Sequence, residues 1–388
     1  MPVNRPHRHQ PMICQKVRYT LTWLHGGIGW SDLSPREINN WGDVAGWAED
    51  PNPSYSGWAT AFAYHAATDA TANLNLLNLP WLDLNAADEV SALQSPGTWI
   101  ALQAVGINDA GDIVGSAANI NDPNLNSLAG PDLPRAFILQ NAFNNPLYGS
   151  SRFLLLPTPT SPAGLASSNG GGINNYGEAV GSEGGNVVRY QPRVGWPVYD
   201  STLQITFPFS SFGGLRINDD GVVISGGYRQ TLAGTLPNYF PNCQFWGLSN
   251  NWIGGQRVTR GKIKGGIVRL PINGAASAVE LVSTAGKYSR DINNQGVLVF
   301  EMSAVNQATR GFVYYDAINP TSGKKYGLNG DGVLPLDKLV ENQDADWLNS
   351  SYIRVNSIND IGPVSFGEIC GVAQPGYRGF LLTPRKIP

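Results

Sequence analysis

The stretch Ile107-Asn108-Asp109-Ala110-Gly111 is one of six copies of the pattern I-N-[ND]-x-G, and this repeat decides the fold. By subtraction, successive copies lie 69, 66, 44, 75 and 66 residues apart. Repetition on this scale predicts an architecture built from one small unit of secondary structure. The asparagine and glycine of each copy are the predicted turn residues: Asn39 and Gly42, Asn108 and Gly111, Asn174 and Gly177, Asn218 and Gly221, Asn293 and Gly296, Asn359 and Gly362.

Each copy predicts a β-hairpin. Asn and Asp side chains hydrogen-bond the backbone two residues on, and the glycine accepts the positive φ that closes the loop. Four copies are followed by a short run of β-branched or small residues ending near a glycine, as in Asp112-Ile113-Val114-Gly115. The pattern therefore indicates two antiparallel strands joined by the turn.

Two further apolar segments follow most hairpins. The third segment carries an aromatic residue and lies at 61–64, 135–138, 189–190, 244–246, 310–313 and 378–381. The fourth is rich in leucine and lies at 81–84, 153–156, 268–271 and 333–336. Four short strands per unit are typical of a propeller blade, so the sequence predicts an all-β, six-bladed β-propeller of four-stranded antiparallel blades.

The turn motif together with the aromatic third segment resembles the HAF repeat, a bacterial extracellular repeat family whose tandem copies are taken to build β-propellers. The resemblance covers about residues 19–388. It implies a propeller fold and an extracellular or surface location, and it implies no particular biochemical activity. The namesake histidine is replaced in this chain, by Arg135, Arg310, Arg378, Thr60 and Cys243 in five of the copies.

The start of the chain is predicted to complete the last blade. Only 29 residues follow Asn359, which leaves room for three strands of a blade but not for a fourth. Residues 17–24 alternate in the manner of a strand. Their pairing with the last strand would remove the open edge of the ring and leave residues 1–16 as an extended N-terminal arm before a single propeller domain, 17–388.

Charge and composition exclude several classes of protein. The chain has 26 Lys+Arg against 29 Asp+Glu and only 14% charged residues, so it lacks the basic surface of a nucleic-acid-binding protein. The one dense basic run, Arg257, Arg260, Lys262 and Lys264, is interpreted as a solvated strand edge. No apolar run reaches the ~18 residues of a membrane span, and residues 1–19 contain no signal-peptide core.

Catalytic residues are not predicted. The four histidines are His7, His9, His25 and His65, and none belongs to a recognisable motif. Asp43, Asp112 and Glu178 follow the turn glycine in three repeats, but a recurring acid does not supply one pair in two different environments. A hydrolase or lyase that gathers two carboxylates around the channel remains an alternative.

Two polar stretches, 119–132 and 329–332, carry the alternating carboxylate and amide oxygens that calcium prefers, but neither has the closing glutamate of a calcium loop. Solvated turns are the favoured interpretation, and no cofactor is predicted. Five of the eleven tryptophans lie near turns or insertions and form the candidate surface for a ligand or partner: Trp30, Trp99, Trp196, Trp252 and Trp347.

These observations predict a non-catalytic structural or interaction propeller of an extracellular surface, filament or particle, able to self-assemble through its arm and loops. The expected partners are further copies of the chain, a surface or a glycan, with no nucleic acid and no membrane insertion. A carbohydrate-binding propeller, in which tryptophan rings stack on sugars, is the alternative.

Overall fold

The fold is a seven-bladed β-propeller, so the expectation of six blades is wrong. The computed structural model describes residues 17–25, 32–49, 59–77, 79, 81–84, 93–95, 98–121, 134–143, 152–158, 168–183, 186–192, 199–208, 214–231, 238–259, 262–284, 288–302, 309–318, 323–326, 330–361, 366–374 and 376–386. No helix in these ranges is long and apolar enough to cross a membrane.

The described chain is almost entirely strand. In chain order the strands are β1 (Val17–Trp23), β2 (Leu33–Ile38), β3 (Val44–Glu49), β4 (Ala59–His65), β5 (Ala70–Asn73), β6 (Trp81–Asp83), β7 (Leu93–Gln94), β8 (Trp99–Ile107), β9 (Ile113–Asn119), β10 (Arg135–Leu139), β11 (Phe153–Leu155), β12 (Ser168–Ile173), β13 (Ala179–Glu183), β14 (Asn186–Pro192), β15 (Tyr199–Pro208), β16 (Arg216–Ile217), β17 (Val223–Ser225), β18 (Tyr228–Gln230), β19 (Asn238–Tyr239), β20 (Cys243–Leu248), β21 (Trp252–Thr259), β22 (Lys262–Pro271), β23 (Glu280–Ser283), β24 (Tyr288–Ile292), β25 (Leu298–Met302), β26 (Arg310–Tyr314), β27 (Val333–Pro335), β28 (Tyr352–Ile358), β29 (Ile369–Gln374) and β30 (Arg378–Lys386). One short α-helix, α1 (Ala345–Asn349), and 3-10 turns at Ala66–Thr68, Leu74–Leu77, Ala276–Ala278 and Leu336–Lys338 complete the elements.

Each blade is one antiparallel sheet of consecutive strands with its first strand innermost. The blades begin with β2, β8, β12, β16, β20, β24 and β28, and we number them one to seven in that order. The second blade is extended at its outer edge, where β6 pairs in parallel with β11 and β7 pairs with β6. The leucine-rich segment 81–84 was expected as the fourth strand of the first blade, but β5 occupies that place.

The fifth blade was missed because its hairpin turn lacks the motif. Its turn reads Leu248-Ser249-Asn250-Asn251-Trp252. Ser249 stands at the position of the anchor asparagine and Trp252 at the position of the glycine. The 75-residue interval between Asn218 and Asn293 therefore contains two steps, 31 residues to Ser249 and 44 more to Asn293.

Three strand assignments change as a result. Residues 244–246 belong to β20, the innermost strand of the fifth blade, and 268–271 belong to its third strand, β22. The stretch 227–242, to which the sequence assigns no strand, supplies β18 and β19 as the outer strands of the fourth blade.

The ring closes as the sequence predicts. β1 pairs antiparallel with β30, from Val17 opposite Lys386 to Trp23 opposite Phe380, and becomes the fourth strand of the seventh blade. Tyr19 on β1 is fully buried, and its hydroxyl donates to the Phe366 carbonyl at 3.2 Å. The closing strand therefore contributes to the core as well as to the edge of the sheet.

A β-bulge recurs on the innermost strand of six blades, two residues before the aliphatic residue that precedes the turn. The extra residue is Arg36, Val105, Gly171, Trp246, Arg290 or Asn356. In five of these blades the neighbouring second strand carries a glycine there because a carbonyl of the bulged strand approaches closely: a Cβ on Gly181 would lie 2.5 Å from the Asn169 carbonyl oxygen. In the sixth blade Phe300 takes this place. Bulges re-aim side chains, and these bulges lie along the wall of the central channel.

Candidate functional site

The anchor asparagine of each motif fixes its own turn. In the second blade the Asn108 side-chain oxygen accepts the backbone N–H groups of Ala110 and Asp112 at 3.1 and 2.8 Å. The glycine of the turn has positive φ, as at Gly111, where φ is 79°. Four further turn glycines share this conformation, namely Gly42, Gly177, Gly221 and Gly296, whereas Gly362 lies outside the described residues.

The same asparagine also binds the next blade through its amide nitrogen. The bonds run from Asn39 to the Asn108 carbonyl (3.0 Å), Asn108 to Asn174 (3.0 Å), Asn174 to Asn218 (3.0 Å), Asn218 to Ser249 (3.1 Å), Asn293 to Asn359 (3.2 Å) and Asn359 to Asn39 (2.9 Å). In the fifth blade Asn251 replaces the missing anchor and donates to the Asn294 carbonyl at 3.0 Å. The turns therefore form a continuous ring around the channel.

A second ring is made by the next residue of each turn. Its backbone N–H donates to the side-chain oxygen of its counterpart in the following blade at 2.7–3.0 Å. The members in order are Asn40, Asp109, Asn175, Asp219, Asn250, Asn294 and Asp360. The third motif position is Asn or Asp in all six copies, and the side-chain oxygen of either residue accepts that bond.

The two rings line a polar funnel of about 160 Å³ at the centre of the face that carries the turns, which we call the turn-side face. Glu37 and Asp291 line its inner part. Burial raises the pKa of Asp360, and the carboxylates of Asp109 and Asp219 raise it further. The funnel thus combines asparagine side chains with five carboxyl groups, those of Glu37, Asp109, Asp219, Asp291 and Asp360.

Large side chains stand exposed around this funnel at the fourth position of the motif. Trp41 and Tyr176 are each 70% exposed, and Ile361 is also exposed. The Trp41 indole nitrogen donates to the Asp109 carbonyl at 2.9 Å, which holds its ring beside the second blade. Two flat aromatic rings therefore flank a polar depression.

The acids that follow the turn glycine are engaged in structural bonds. Asp43 accepts from the Asn39 amide at 3.2 Å and lies 2.8 Å from His65 Nδ1. Glu178 accepts from Asn174 at 2.9 Å and pairs with Arg189 at 2.7 Å. These recurring acids connect the turn to the third strand of their own blade, and Asp112 does the same toward Asn141 N–H at 2.9 Å.

Beneath the funnel, a guanidinium spans the channel. Arg216 of the fourth blade pairs with Glu37 of the first at 2.8 Å, and it donates to the Gly171 carbonyl of the third at 3.3 Å. Asp291 accepts from the Ser357 hydroxyl at 2.7 Å. Burial raises the pKa of Glu37 to about 7; the Arg216 guanidinium lowers this pKa and the nearby Asp291 carboxylate raises it. Burial also raises the pKa of Asp291.

A second charged group joins Glu301, on the second strand of the sixth blade, to side chains of the innermost strands of the sixth and seventh blades. Glu301 is fully buried and accepts from Arg290 Nε at 2.7 Å and from the Tyr352 hydroxyl at 2.8 Å. Arg354 lies 3.9 Å from the same carboxylate. Adjacent opposite charges before the motif, Arg36-Glu37 and Arg290-Asp291, were the available sequence signal for this cluster.

The three predicted tryptophans that the structure describes do not lie together. Trp347 is buried in the core beside Trp23 and Phe380 and is 1% exposed. Trp99 donates to Gln94 at 2.7 Å within the second blade. Trp252 stacks under Arg269 at 4.5 Å, and Trp30 and Trp196 lie outside the described residues.

Most of the first candidate calcium stretch and part of the second lie outside the described residues. In the second, Asp331 accepts from Val333 N–H at 2.9 Å, as in an ordinary turn. Within the described ranges, no group of three or more His, Cys, Asp or Glu side chains is arranged to hold a metal ion.

Comparison with known proteins supports the fold. No family model matches the chain, and no curated protein matches it. Streptogramin B lyase is similar in structure, with a TM-score of 0.50 at 10% identity over 95% of this chain and 98% of that one. The β-propeller domain of the trilobed protease from Pyrococcus furiosus has a TM-score of 0.50 at 8% identity over 92% and 97% of the two chains.

These likenesses show the propeller fold alone, because the identities are low. The Pyrococcus domain is described as having an open velcro topology, whereas β1 closes the last blade in this chain.

Proposed function

We propose that this chain is a non-catalytic interaction propeller of an extracellular surface, filament or particle, and that its turn-side face holds the partner. The observation that carries the proposal is the exposure of Trp41 and Tyr176 beside the polar funnel. Large aromatic side chains left exposed on a rigid face are typical of binding surfaces. The extracellular location is supported by the resemblance to HAF repeats and by the low charged fraction.

The bonding of the repeated acids supports a non-catalytic role. Asp43 and Glu178 each bond the anchor asparagine of their own turn and a residue of the third strand of their blade. Burial raises the pKa of Glu178, but the hydrogen bonds from Gln191, Arg189 and Asn174 outweigh it and lower the pKa below its usual range, so Glu178 is a poor general acid.

A carbohydrate is the second candidate partner, beside further copies of the chain, and one observation favours it. Flat aromatic rings stack on sugar faces while amide and carboxylate oxygens bind hydroxyl groups, and the turn-side face carries exposed aromatic rings as well as the polar funnel. Self-association through residues 1–16 concerns a segment outside the described residues, so the turn-side face is the part of the proposal that the structure supports.

The experiment is a glycan array together with sedimentation velocity on the full chain and on a Trp41→Ala, Tyr176→Ala double variant. We expect the wild-type chain to bind a glycan or to self-associate and the double variant to weaken that binding at least about tenfold. Tyr239→Ala is the matched control, because Tyr239 is 55% exposed but lies on an outer strand.

The result for each ligand decides the partner class. Glycan binding lost only in the double variant supports the carbohydrate, and self-association lost only there supports assembly. An interaction that survives in the double variant, or a chain that shows neither interaction, contradicts the proposal.

A further inference from the structure

Four arginines lie along the innermost strands, and three of them come from consecutive blades. Arg290, Arg354 and Arg36 belong to the sixth, seventh and first blades, and Arg216 approaches from the fourth. We call these four residues the arginine cluster. Arg36 and Arg290 are the extra residues of their β-bulges, so the repeated bulge places both at the same level of the channel wall.

Several donors in this cluster lack acceptors among the described residues. Arg36 makes no hydrogen bond there and contacts only the Trp47 ring, 5.8 Å from its centroid. Arg354 makes only a long contact to Glu301 at 3.9 Å, and its Nε is buried without an acceptor. The indole nitrogen of Trp246, whose ring lies 5.9 Å from the Arg290 guanidinium, is also buried without an acceptor. Buried donors are normally paired, so the Arg354 and Trp246 nitrogens, together with the half-buried Arg36, indicate that an acceptor belongs between them.

The charges around the arginine cluster also indicate that an acceptor belongs there. Four guanidinium groups face three carboxylates, Glu37, Asp291 and Glu301. Burial, followed by repulsion from Arg354, Arg290 and Arg216, lowers the pKa of Arg36 to about 10. The Glu37 carboxyl, whose pKa burial raises to about 7, supplies less than a full negative charge at neutral pH. The cluster therefore holds an excess of positive charge inside the channel.

We propose that the arginine cluster binds a tetrahedral oxyanion, a phosphate or sulfate group, in the central channel. Guanidinium groups bind such oxyanions through charge-assisted hydrogen bonds. The donors without acceptors come from the fifth, seventh and first blades, so they approach the ligand from several directions. That arrangement matches the four oxygens of a tetrahedral anion better than the two coplanar oxygens of a carboxylate. The anion is either free or the terminal group of a larger ligand.

The site is separate from the aromatic rim of the turn-side face. Arg36, Arg290 and Arg354 precede the turn along their strands, with the bonded layer of Arg216, Glu37 and Asp291 between them and the funnel. A negative result for partner binding at the turn-side face therefore does not contradict anion binding in the channel, and the reverse also holds.

The test is isothermal titration calorimetry of the full chain at low ionic strength with inorganic phosphate, sulfate and acetate. We expect one saturable site for phosphate or sulfate, weaker binding of acetate, and a rise in melting temperature with the bound anion. Arg36→Gln and Arg354→Gln should each weaken the binding at least about tenfold, as expected for loss of a charge-assisted bond. Arg385→Gln, at an exposed position on β30, is the matched control and should bind as the wild-type chain does.

Three results would overturn the proposal: no saturable binding of phosphate or sulfate, binding that both Gln variants leave intact, or equal weakening in Arg385→Gln. Tighter binding of acetate than of either dianion would contradict the ligand class. Because Arg36 and Arg354 make no described hydrogen bond, both variants are expected to fold, and circular dichroism without anion checks this. The Trp41→Ala, Tyr176→Ala variant should bind the anion normally.

Discussion

The side-chain amide of Asn359 donates to the backbone carbonyl of Asn39 at 2.9 Å, although the two residues are 320 positions apart. Asp360 N–H binds the Asn40 side chain at 3.0 Å directly beside it. The last repeat is thus joined to the first by the same pair of bonds that joins every other neighbouring pair of motif-bearing blades. The propeller is closed twice, by these turns and by the pairing of β1 with β30.

Removal of one anchor asparagine should destabilise the whole ring. Asn108→Ala eliminates four side-chain hydrogen bonds, two within its turn, one to Asp112 and one to the third blade. We expect the free energy of unfolding to fall by about 2–4 kcal/mol, measured by urea denaturation. The control is Asn186→Ala, at an exposed strand end, which should change it by less than about 0.5 kcal/mol. Equal effects of the two variants would show that the inter-blade bonds contribute nothing.

The closing strand should stabilise the fold through its buried face. Tyr19→Ala removes a fully buried ring that packs against Phe366 and a hydroxyl that donates to the Phe366 carbonyl. The expected loss is about 3–5 kcal/mol, measured by thermal and urea unfolding. Arg18→Ala, on the opposite face of β1, should lose less than about 1 kcal/mol. A Tyr19→Ala chain that melts like the wild type would mean that β1 is not part of the folded ring.

Stability should depend on pH through Glu37. Because the pKa of this carboxyl is raised to about 7 in the folded state, folding favours its protonated form. Its contribution to stability is complete below the unfolded pKa of about 4.3 and is lost as the pH rises through about 7.

Glu37→Gln removes that dependence. Relative to the variant, the wild-type chain should therefore lose on the order of 2 kcal/mol of unfolding free energy between pH 5 and pH 8. Glu341→Gln, at an exposed position, is the control and should follow the wild-type curve. A constant difference between the wild-type chain and Glu37→Gln across this range would show that the carboxyl titrates normally.

The turns and the ring closure could be predicted from the sequence because local chemistry determines them. An asparagine at the anchor position can cap its own turn, and only a residue that tolerates positive φ fits at Gly111. The alternation of buried residues in β1 likewise depends on one strand alone.

The fifth blade could not be predicted because another set of atoms makes the same bonds there. The backbone carbonyl of Ser249 accepts the amide of Asn218 as well as an asparagine carbonyl would, and Asn251 supplies the outgoing donor from two positions further on. The hydrogen bonds between neighbouring blades are therefore present although the residues of the motif are absent.

The charged site in the channel could not be predicted, because the spacing of residues along the sequence does not show which of them face each other across the channel. Arg216 and Glu37 are 179 residues apart by subtraction, and only the number of blades between them places one opposite the other. The exposed aromatic residues could have been predicted from the sequence. Trp41 and Tyr176 occupy the variable fourth position of the motif, where the turn itself does not require an apolar residue.

The most direct test of the closed turn-side ring is native-state hydrogen exchange at the seven backbone amides that donate between blades: those of Asn40, Asp109, Asn175, Asp219, Asn250, Asn294 and Asp360. If the ring is one continuous structure, all seven should exchange together, at the slow rate set by global unfolding. The Asn121 amide, bonded only to nearby Asn119 at 2.9 Å, should exchange much faster. Seven independent rates as fast as that of Asn121 would contradict the closed ring.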